Sequence, residues 1–323
     1  MKDIRRIGIL TSGGDAPGMN AAIRAIVRDA VVEHISCLGI HRGYAGLINN
    51  DIIELDARSV DGIQVRGGTM LYTARCDEFR TQEGIKRGAE VCKYMGIDAI
   101  IAIGGDGTFR GARDLAALGI PTIGIPATID NDIACTHYTI GFDTACNTAI
   151  EAVDKLRDTM QSHERCSIVE VMGHESGNLA MYVGIAVGAT ATLIPERETK
   201  IEEIYDKIRD GRIRGRNHHI IIVAEGIREE LDLAHAIKEN TGIDTRETIL
   251  GHVQRGGSPT ARDRVSAARM GCTAIDALKN GRFNRVIVNN THHSFEDMDI
   301  DEALKLKKTF REDLFNVCER LAF

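Results

Sequence analysis

The chain of 323 residues is 43% hydrophobic, and 40 Lys and Arg against 47 Asp and Glu leave a formal net charge of −7. Its basic residues are dispersed rather than blocked together, which argues against a nucleic-acid partner; no apolar run nears the roughly 20 residues of a membrane helix, which argues against a membrane one. The length suits about two domains with full cores.

The start, MKDIRRIGIL, passes from charged residues into a short strand, RIGIL (6–10), without the apolar region of a signal peptide. TSGGDAPGMNAAIR follows. Gly13 and Gly14 permit a tight turn, and Gly18 opens a helix whose N–H groups could receive a phosphate; an ordinary strand–turn–helix connection is the alternative. DAIIAIGG (98–105) is a second strand, ending in GGDGTFRG. Gly104, Gly105 and Gly107 leave a ligand room at the main chain. Asp106 is a lone carboxylate of the kind that holds Mg²⁺ beside phosphates, and Thr108 stands at a helix start as a cap or phosphate contact. The Gly-Lys-Ser/Thr ending of a Walker loop is missing. PTIGIPA (121–127) leads into PATIDNDI (126–133), which sets Asp130 and Asp132 two residues apart. These acids could hold a metal, take a proton or cap the next segment.

In FDTACNTAIEAVDKLRD, Phe142, Ala145, Cys146, Ala149, Ile150, Val153 and Leu156 recur as one helix face, with Cys146 as core. CSIVEVMG (166–173), HHIIIVAEG (218–226) and NRVIVNN (284–290) are further strands. Glu225, at the end of the second of these, could accept hydrogen bonds from sugar hydroxyls. Arg75, Arg165, Arg246, His252 and Arg255 are scattered anion-binding candidates. A single Arg is usually a solvated group, but glycines crowd His252 and Arg255 in GHVQRGG, and a guanidinium fork suits phosphate.

The runs are continuous rather than alternating, as in strands buried on both faces, and helices lie between most of them. The expected fold class is α/β: two Rossmann-like three-layer α/β/α domains with mainly parallel sheets and an active-site cleft between them. Eight cysteines form no C-x-x-C pair and no His lies at finger spacing, so a reduced cytoplasmic setting is expected rather than disulfides or structural zinc. Glycine-rich loops, acids and separate Arg residues together describe phosphoryl transfer, which is mostly positioning and charge stabilisation.

In order, LTSGGDAPGMNAAIR, RGGTMLYTARC, IGGDGTFRGA, TIDNDI, TIGFDTACNTAIEAVDKLRDT, SHER, EVMG, VAEG and LGHVQRGGSPTARDR resemble the bacterial ATP-dependent 6-phosphofructokinase family (phosphofructokinase A), over residues 10 to about 264. GGDGT alone would not be specific, because NAD and lipid kinases carry it. The resemblance implies ATP-dependent phosphorylation of fructose 6-phosphate at its 1-hydroxyl, giving fructose 1,6-bisphosphate and ADP, with Mg²⁺ as cofactor. The expected domains are 1–141 plus 254–304, larger and ATP-binding, and 142–253 plus 305–323, smaller and fructose-6-phosphate-binding. Gly14, Arg75, Cys76, Gly105, Asp106, Gly107 and Thr108 would line the ATP site, with Asp106 at magnesium. Asp130 would take the proton from the 1-hydroxyl with Asp132 in support, Thr128 would hold the transferred phosphoryl group, and Arg75 would bridge donor and acceptor. Met172, Gly173, His174, Glu225, His252 and Arg255 would bind the sugar phosphate. Arg165 and Arg246 would reach its 6-phosphate from a neighbouring subunit, so the enzyme would be a homo-oligomer, commonly a tetramer.

Gly107 and Ala127 favour ATP, since pyrophosphate-using relatives carry Asp and Lys there. His174 departs from the Arg usual after VMG and supplies a hydrogen bond without a full charge. Arg24, Arg28, Arg157 and Arg214 match the family's effector site for ADP or phosphoenolpyruvate, which Arg216 and His218 join. Asn217 replaces a Lys and Thr190 an acid, so a basic pocket with altered or lost ADP activation is expected. The rival readings are a kinase for a related acceptor or with a pyrophosphate donor, and a non-catalytic sugar-phosphate-binding regulatory subunit. Retention of Asp106, Asp130 and Arg75 together speaks against the last, because binding alone needs no base.

Overall fold

A computed structural model of the chain describes residues 4–228, 232–290, 292 and 294–322. From the amino terminus the elements run β1 (Arg6–Ser12), α1 (Met19–Val32), β2 (Ser36–Ile40), α2 (Gly43–Ile48), β3 (Ile52–Leu55), α3 (Gln82–Tyr94), β4 (Ala99–Gly104), α4 (Asp106–Ala117), β5 (Thr122–Pro126) and α5 (Phe142–His163). Next come β6 (Cys166–Val171), α6 (Asn178–Val187), β7 (Ala191–Leu193), α7 (Ile201–Ile213), β8 (His219–Ala224), α8 (Glu225–Arg228), α9 (Leu233–Thr241) and β9 (Thr245–Ile249). The chain closes with α10 (Ala261–Lys279), β10 (Arg285–Asn289), β11 (Phe295–Asp299), α11 (Ile300–Lys305) and α12 (Glu312–Leu321).

These elements gather into two units. The larger holds the chain up to Thr128, Ile133–Thr144 and Arg255–Lys308; the smaller holds Ile129–Asp132, Ala145–Gln254 and the chain from Thr309. The larger unit has a seven-stranded sheet in the order β11-β10-β5-β4-β1-β2-β3, parallel except for the edge strands β3 and β11. The smaller has a four-stranded, wholly parallel sheet in the order β7-β8-β6-β9. The α/β class and the two mainly parallel sheets are those the apolar runs predict.

Every residue of β4 and β8 is buried, as strands covered on both faces must be. The predicted face of α5 buries Phe142, Ala145, Cys146, Ala149 and Val153, with Ile150 and Leu156 half-buried. In the larger unit α1 packs on α10. Their approach is close because Gly271 lacks a side chain: a Cβ there would lie 2.9 Å from the Ala25 Cβ and 3.2 Å from the Ala22 carbonyl oxygen. Glycine inside a helix costs about 1 kcal/mol relative to alanine, and tight helix packing offsets it. No helix among the described residues is long and apolar enough to cross a membrane.

Candidate active site

In the larger unit, parallel registry aligns three strand ends. Ser12 pairs with Gly104, and Gly104 with Pro126, so the loops after β1, β4 and β5 leave the sheet side by side. They are stitched together. The Thr108 hydroxyl donates to the Ser12 carbonyl at 3.0 Å, and the Ala127 N–H to the Gly104 carbonyl at 3.0 Å. Gly104 leaves no room for a Cβ beside these neighbours. The segment carrying Arg75 and Cys76 is pinned to the first loop, where the Thr73 hydroxyl donates to the Gly13 carbonyl at 2.6 Å and the Thr11 hydroxyl to the Tyr72 carbonyl at 2.9 Å. Arg75 is exposed and Cys76 half-buried. Arg255 donates from Nη1 to the Asp15 carbonyl at 3.3 Å, and its guanidinium fills the space a Cβ at Gly14 would need.

Gly105 and Gly107 differ from Gly14. Neither lies in the left-handed region, and beyond the adjacent residues and the helix's own backbone no atom stands within 4 Å of a Cβ built on either. The protein's own packing therefore does not demand glycine there; the open space lies at the amino end of α4, whose first residue is the exposed Asp106. Helix N-termini favour anions. No cluster of three or more His, Cys, Asp and Glu suited to a metal occurs among the described residues. One carboxylate beside open space fits Mg²⁺ all the same, because that ion takes one or two protein carboxylates and completes its shell from phosphate oxygens and water. The charge of Asp106 reaches Cys135: burial pushes that thiol up to about 11, and the carboxylate adds to the shift. Tyr44 braces the loop from beneath. Its hydroxyl donates to the Thr108 carbonyl at 2.6 Å and its ring stacks on Phe79 at 4.1 Å.

In the smaller unit, Asp130 is half-buried between Ile129, fully buried, and Asn131, whose φ of 48° places it in the left-handed region asparagine tolerates. The Asn131 carbonyl accepts from Asn178 Nδ2 at 2.8 Å, which ties the acid-bearing turn to the first residue of α6. Met172 follows β6, and its N–H donates to Gln254 Oε1 at 3.2 Å. Gln254, fully buried, also donates to the Gly251 carbonyl at 3.0 Å, so it holds the short 3₁₀ turn Gly251–Arg255 that exposes His252. Glu225 follows β8, and its Oε1 accepts from the His174 N–H at 2.6 Å. Gly173 and His174 both have positive φ. Histidine is among the side chains enriched there, and long branched ones are not.

Arg165 and Arg246 lie elsewhere. They flank the paired residues Cys166 and Thr245 at the amino ends of β6 and β9. Both bind Asp244, Arg165 at 2.8 Å and Arg246 at 3.1 Å. At about 3.3 Å per strand residue, Arg165 is on the order of 20 Å from Met172. One chain therefore does not bring these two arginines to the strand ends that carry Met172 and Glu225.

Of the effector candidates, Arg24 and Arg28 are on α1 of the larger unit, where Arg28 pairs with Asp61 at 2.9 Å. In the smaller unit Arg157 donates to the Val187 carbonyl and Arg216 to the Gly188 carbonyl at 3.1 Å, both at the carboxyl end of α6. His218 sits with them: burial, then Arg216 and Arg157, hold its imidazole below the ordinary range. Arg214 caps α7. Thr190 is buried, with its hydroxyl 3.2 Å from His219 Nδ1, and Asn217 donates to Glu164 at 2.9 Å.

His219 is fully buried and its Nε2 has no hydrogen-bond partner, so a proton there would be a poorly compensated charge. Burial, then the positive charge of Arg216, lowers it from 6.5 to about 4. The unfolded chain therefore protonates first as pH falls, and stability is lost between pH 6.5 and about 4. His219→Gln is expected to flatten the thermal midpoint across that window; an unchanged slope would remove this role.

Sequence reading did not find Tyr44, Thr73, Asn178 or Gln254. Thr73 and Gln254 lie inside quoted motifs, next to the charged residues that drew attention; Tyr44 and Asn178 carry no local signal.

The chain matches the phosphofructokinase family over residues 6–278. It is 51% identical over 319 residues, 99% of this chain and 100% of the relative, to the ATP-dependent 6-phosphofructokinase of Clostridium botulinum, and 51% identical over 320 residues, with the same coverage, to that of Clostridium novyi. The solved structure of phosphofructokinase from Saccharomyces cerevisiae superposes with a TM-score of 0.87 at 33% identity, over 98% of this chain; the chain spans 48% of that longer one. A pyrophosphate-dependent phosphofructokinase from Marinobacter aquaeolei shares the fold, with a TM-score of 0.85 at 20% identity over 99% of this chain and 92% of its own.

Proposed function

The chain belongs to the phosphofructokinase family, and from that premise we propose how its residues divide the work of ATP-dependent phosphorylation of fructose 6-phosphate. The reaction moves the γ-phosphoryl group of ATP to the sugar's 1-hydroxyl and yields fructose 1,6-bisphosphate and ADP. The 51% identity along the whole chain to enzymes named for this activity carries the reading.

The donor is assigned to the larger unit. Open space at Gly105 and Gly107 lets phosphates approach the main chain, and the amino end of α4 faces them with N–H groups. Asp106 would hold Mg²⁺, which when bound supplies positive charge against the donor phosphates. Gly14, Arg75, Cys76 and Thr108 complete this set, with Arg75 bridging to the acceptor and Thr128 holding the group in transit. Gly107 and Ala127 favour ATP over pyrophosphate, since neither puts a charge beside the donor.

The acceptor is assigned to Met172, Gly173, His174, Glu225, His252 and Arg255. Asp130 takes the proton of the 1-hydroxyl as the oxygen attacks phosphorus, and Asp132 supports it. Arg165 and Arg246 are assigned to the 6-phosphate of a sugar held by a neighbouring subunit. Their place at the far ends of β6 and β9 supports this, because Met172 and Glu225, at the other ends of that sheet's strands, lie out of their reach. A homo-oligomer, a tetramer in the family's manner, is the assembly this requires. Arg246→Ala is expected to raise KM for fructose 6-phosphate about 10- to 100-fold, with KM for ATP unchanged; equal effects on both would refute the assignment.

Arg24, Arg28, Arg157, Arg214, Arg216 and His218 are assigned to an effector anion, ADP or phosphoenolpyruvate, with weakened response to ADP because Thr190 is buried against His219. The setting is cytoplasmic. A coupled assay of the purified chain with ATP, Mg²⁺ and fructose 6-phosphate, repeated with pyrophosphate and with each effector at subsaturating sugar phosphate, tests the donor, the acceptor and the effector response. Turnover with pyrophosphate and none with ATP would overturn the donor assignment, and identical saturation curves would remove the effector site.

A further inference from the structure

Asp263, on α10 of the larger unit, is fully buried and charged in composition, yet it lies among none of the donor or acceptor residues above. Its carboxylate accepts four hydrogen bonds, all from one short stretch of chain. Tyr138 Oη donates to Oδ1 at 2.5 Å and the Gly141 N–H to the same oxygen at 2.7 Å; the Thr144 N–H and hydroxyl donate to Oδ2 at 2.9 and 2.5 Å. The contact is reciprocal. Thr144 Oγ1 accepts from the Thr260 N–H at 3.0 Å, and the Thr260 hydroxyl donates to Asp143 Oδ2 at 2.7 Å, so the first turns of α5 and α10 cap each other. Arg262 closes the cluster, its guanidinium 4.5 Å over the Tyr138 ring and 3.7 Å from Asp143.

The stretch so held is in turn bound to the end of β5. The Thr139 hydroxyl, fully buried, donates to the Thr128 carbonyl at 2.7 Å. The Ile140 N–H donates to the Pro126 carbonyl at 3.0 Å, and Ala127 and Ile140 form a parallel bridge. Ala127 then joins the Gly104 carbonyl, in the loop of Asp106. A continuous ladder therefore runs from the Asp263 carboxylate through residues 138–144 and 126–128 to the donor loop, every rung within one unit. Desolvating a carboxylate is costly, and hydrogen bonds to an ionised group are about twice as strong as neutral ones. A neutral core side chain would fill the same space, but it would not bind four donors of one loop at once.

We propose that Asp263 is a positioning residue for phosphoryl transfer: it fixes the loop that holds Thr128 and the end of β5 against the donor loop. The proposal rests on the role assigned to Thr128. A carboxylate at this point orders the 138–144 segment before any substrate arrives, so the group in transit meets a preformed backbone rather than one it must order.

The test uses the full-length chain as wild type, Asp263→Asn, Thr139→Val and Thr139→Ser, with kcat, both KM values, thermal midpoint and backbone amide exchange measured on each. Asn keeps the volume but puts an NH₂ against donors that the second oxygen now accepts. The expected result for Asp263→Asn is a kcat lowered about 10- to 100-fold, KM for ATP within about twofold, and faster exchange at Ala127 and Ile140 with β1 still protected. Thr139→Val should reproduce the kcat loss and Thr139→Ser restore it, a rescue that loss of fold stability does not predict. Wild-type kcat per folded molecule in both Asp263→Asn and Thr139→Val, with only a lower thermal midpoint, would reduce Asp263 to a structural residue and end the proposal. If Asp263→Asn does not fold, the Thr139 pair decides alone. A wild-type chain that transfers nothing from ATP to fructose 6-phosphate sinks the reaction assignment instead, while amide exchange at Ala127 and Ile140 still reports whether Asp263 orders the loop.

Discussion

Asp130→Ser is expected to lower kcat about 10³-fold or more while leaving KM for fructose 6-phosphate nearly unchanged, since a positioned general base contributes about 10²–10⁴-fold and Ser cannot accept the proton. Asp130 sits on a short turn whose shape depends on its neighbours: Ile129 is buried, and Asn131 is held by Asn178. A Ser at the half-buried position between them removes the base without unseating the turn. The residues assigned to the acceptor, Glu225, His252 and Arg255, are unchanged in the variant, so binding should survive. Steady-state kinetics on the folded variant decides it. A variant that kept most of its turnover would take the base from Asp130 and leave it one of the two other roles its sequence position allows, a metal ligand or a cap.

The second large effect is expected of Gly107→Asp. Beyond its own helix nothing lies within 4 Å of a Cβ at this position and its backbone is not left-handed, so the variant should fold with an unchanged thermal midpoint. Its carboxylate would stand beside Asp106 at the amino end of α4, where the donor's phosphates are assigned. Two like charges about 4 Å apart repel by about 4 kcal/mol at an effective dielectric constant of about 20, near 10³-fold in kcat/KM for ATP. The shorter donor pyrophosphate should lose far less, because it has no α-phosphate bearing a nucleoside to place there. Measuring kcat/KM for each donor at saturating fructose 6-phosphate separates the two. Equal losses for both donors would mean that Gly107 does not set donor choice.

The strands read from the sequence and those it concealed differ in one physical respect. β1, β4, β5, β6, β8 and β10 appear as continuous apolar runs because each has a strand on both sides and is packed above and below. The four edge strands escaped notice: β3 is the four-residue IIEL, β7 the three-residue ATL, β9 is TRETI and β11 is FEDMD. An edge strand is short or charged because one side meets no partner, and that erases the pattern by which a strand is read. β2, SCLGI, is interior but opens on an exposed Ser and has a single β-branched residue, Ile40, so no β-branched run marks it.

The chemistry was written locally, as glycines and acids at strand ends, so the sequence by itself determined the α/β class, the family and the residues offered for donor, acceptor and base. Only the tertiary structure decided what holds them: Tyr44 under Thr108, Thr73 on Gly13, Gln254 on Met172 and Asp263 on the 138–144 segment are joined across 60 to 125 residues of chain. It also decided that Gly14 makes room for an arginine whereas Gly105 and Gly107 face open space, a distinction between identical letters. A ligand-facing residue keeps its type because of what it must touch outside the chain, and that leaves a motif; a supporting residue answers only to a neighbour that folding brings near, and no short stretch of sequence contains both partners.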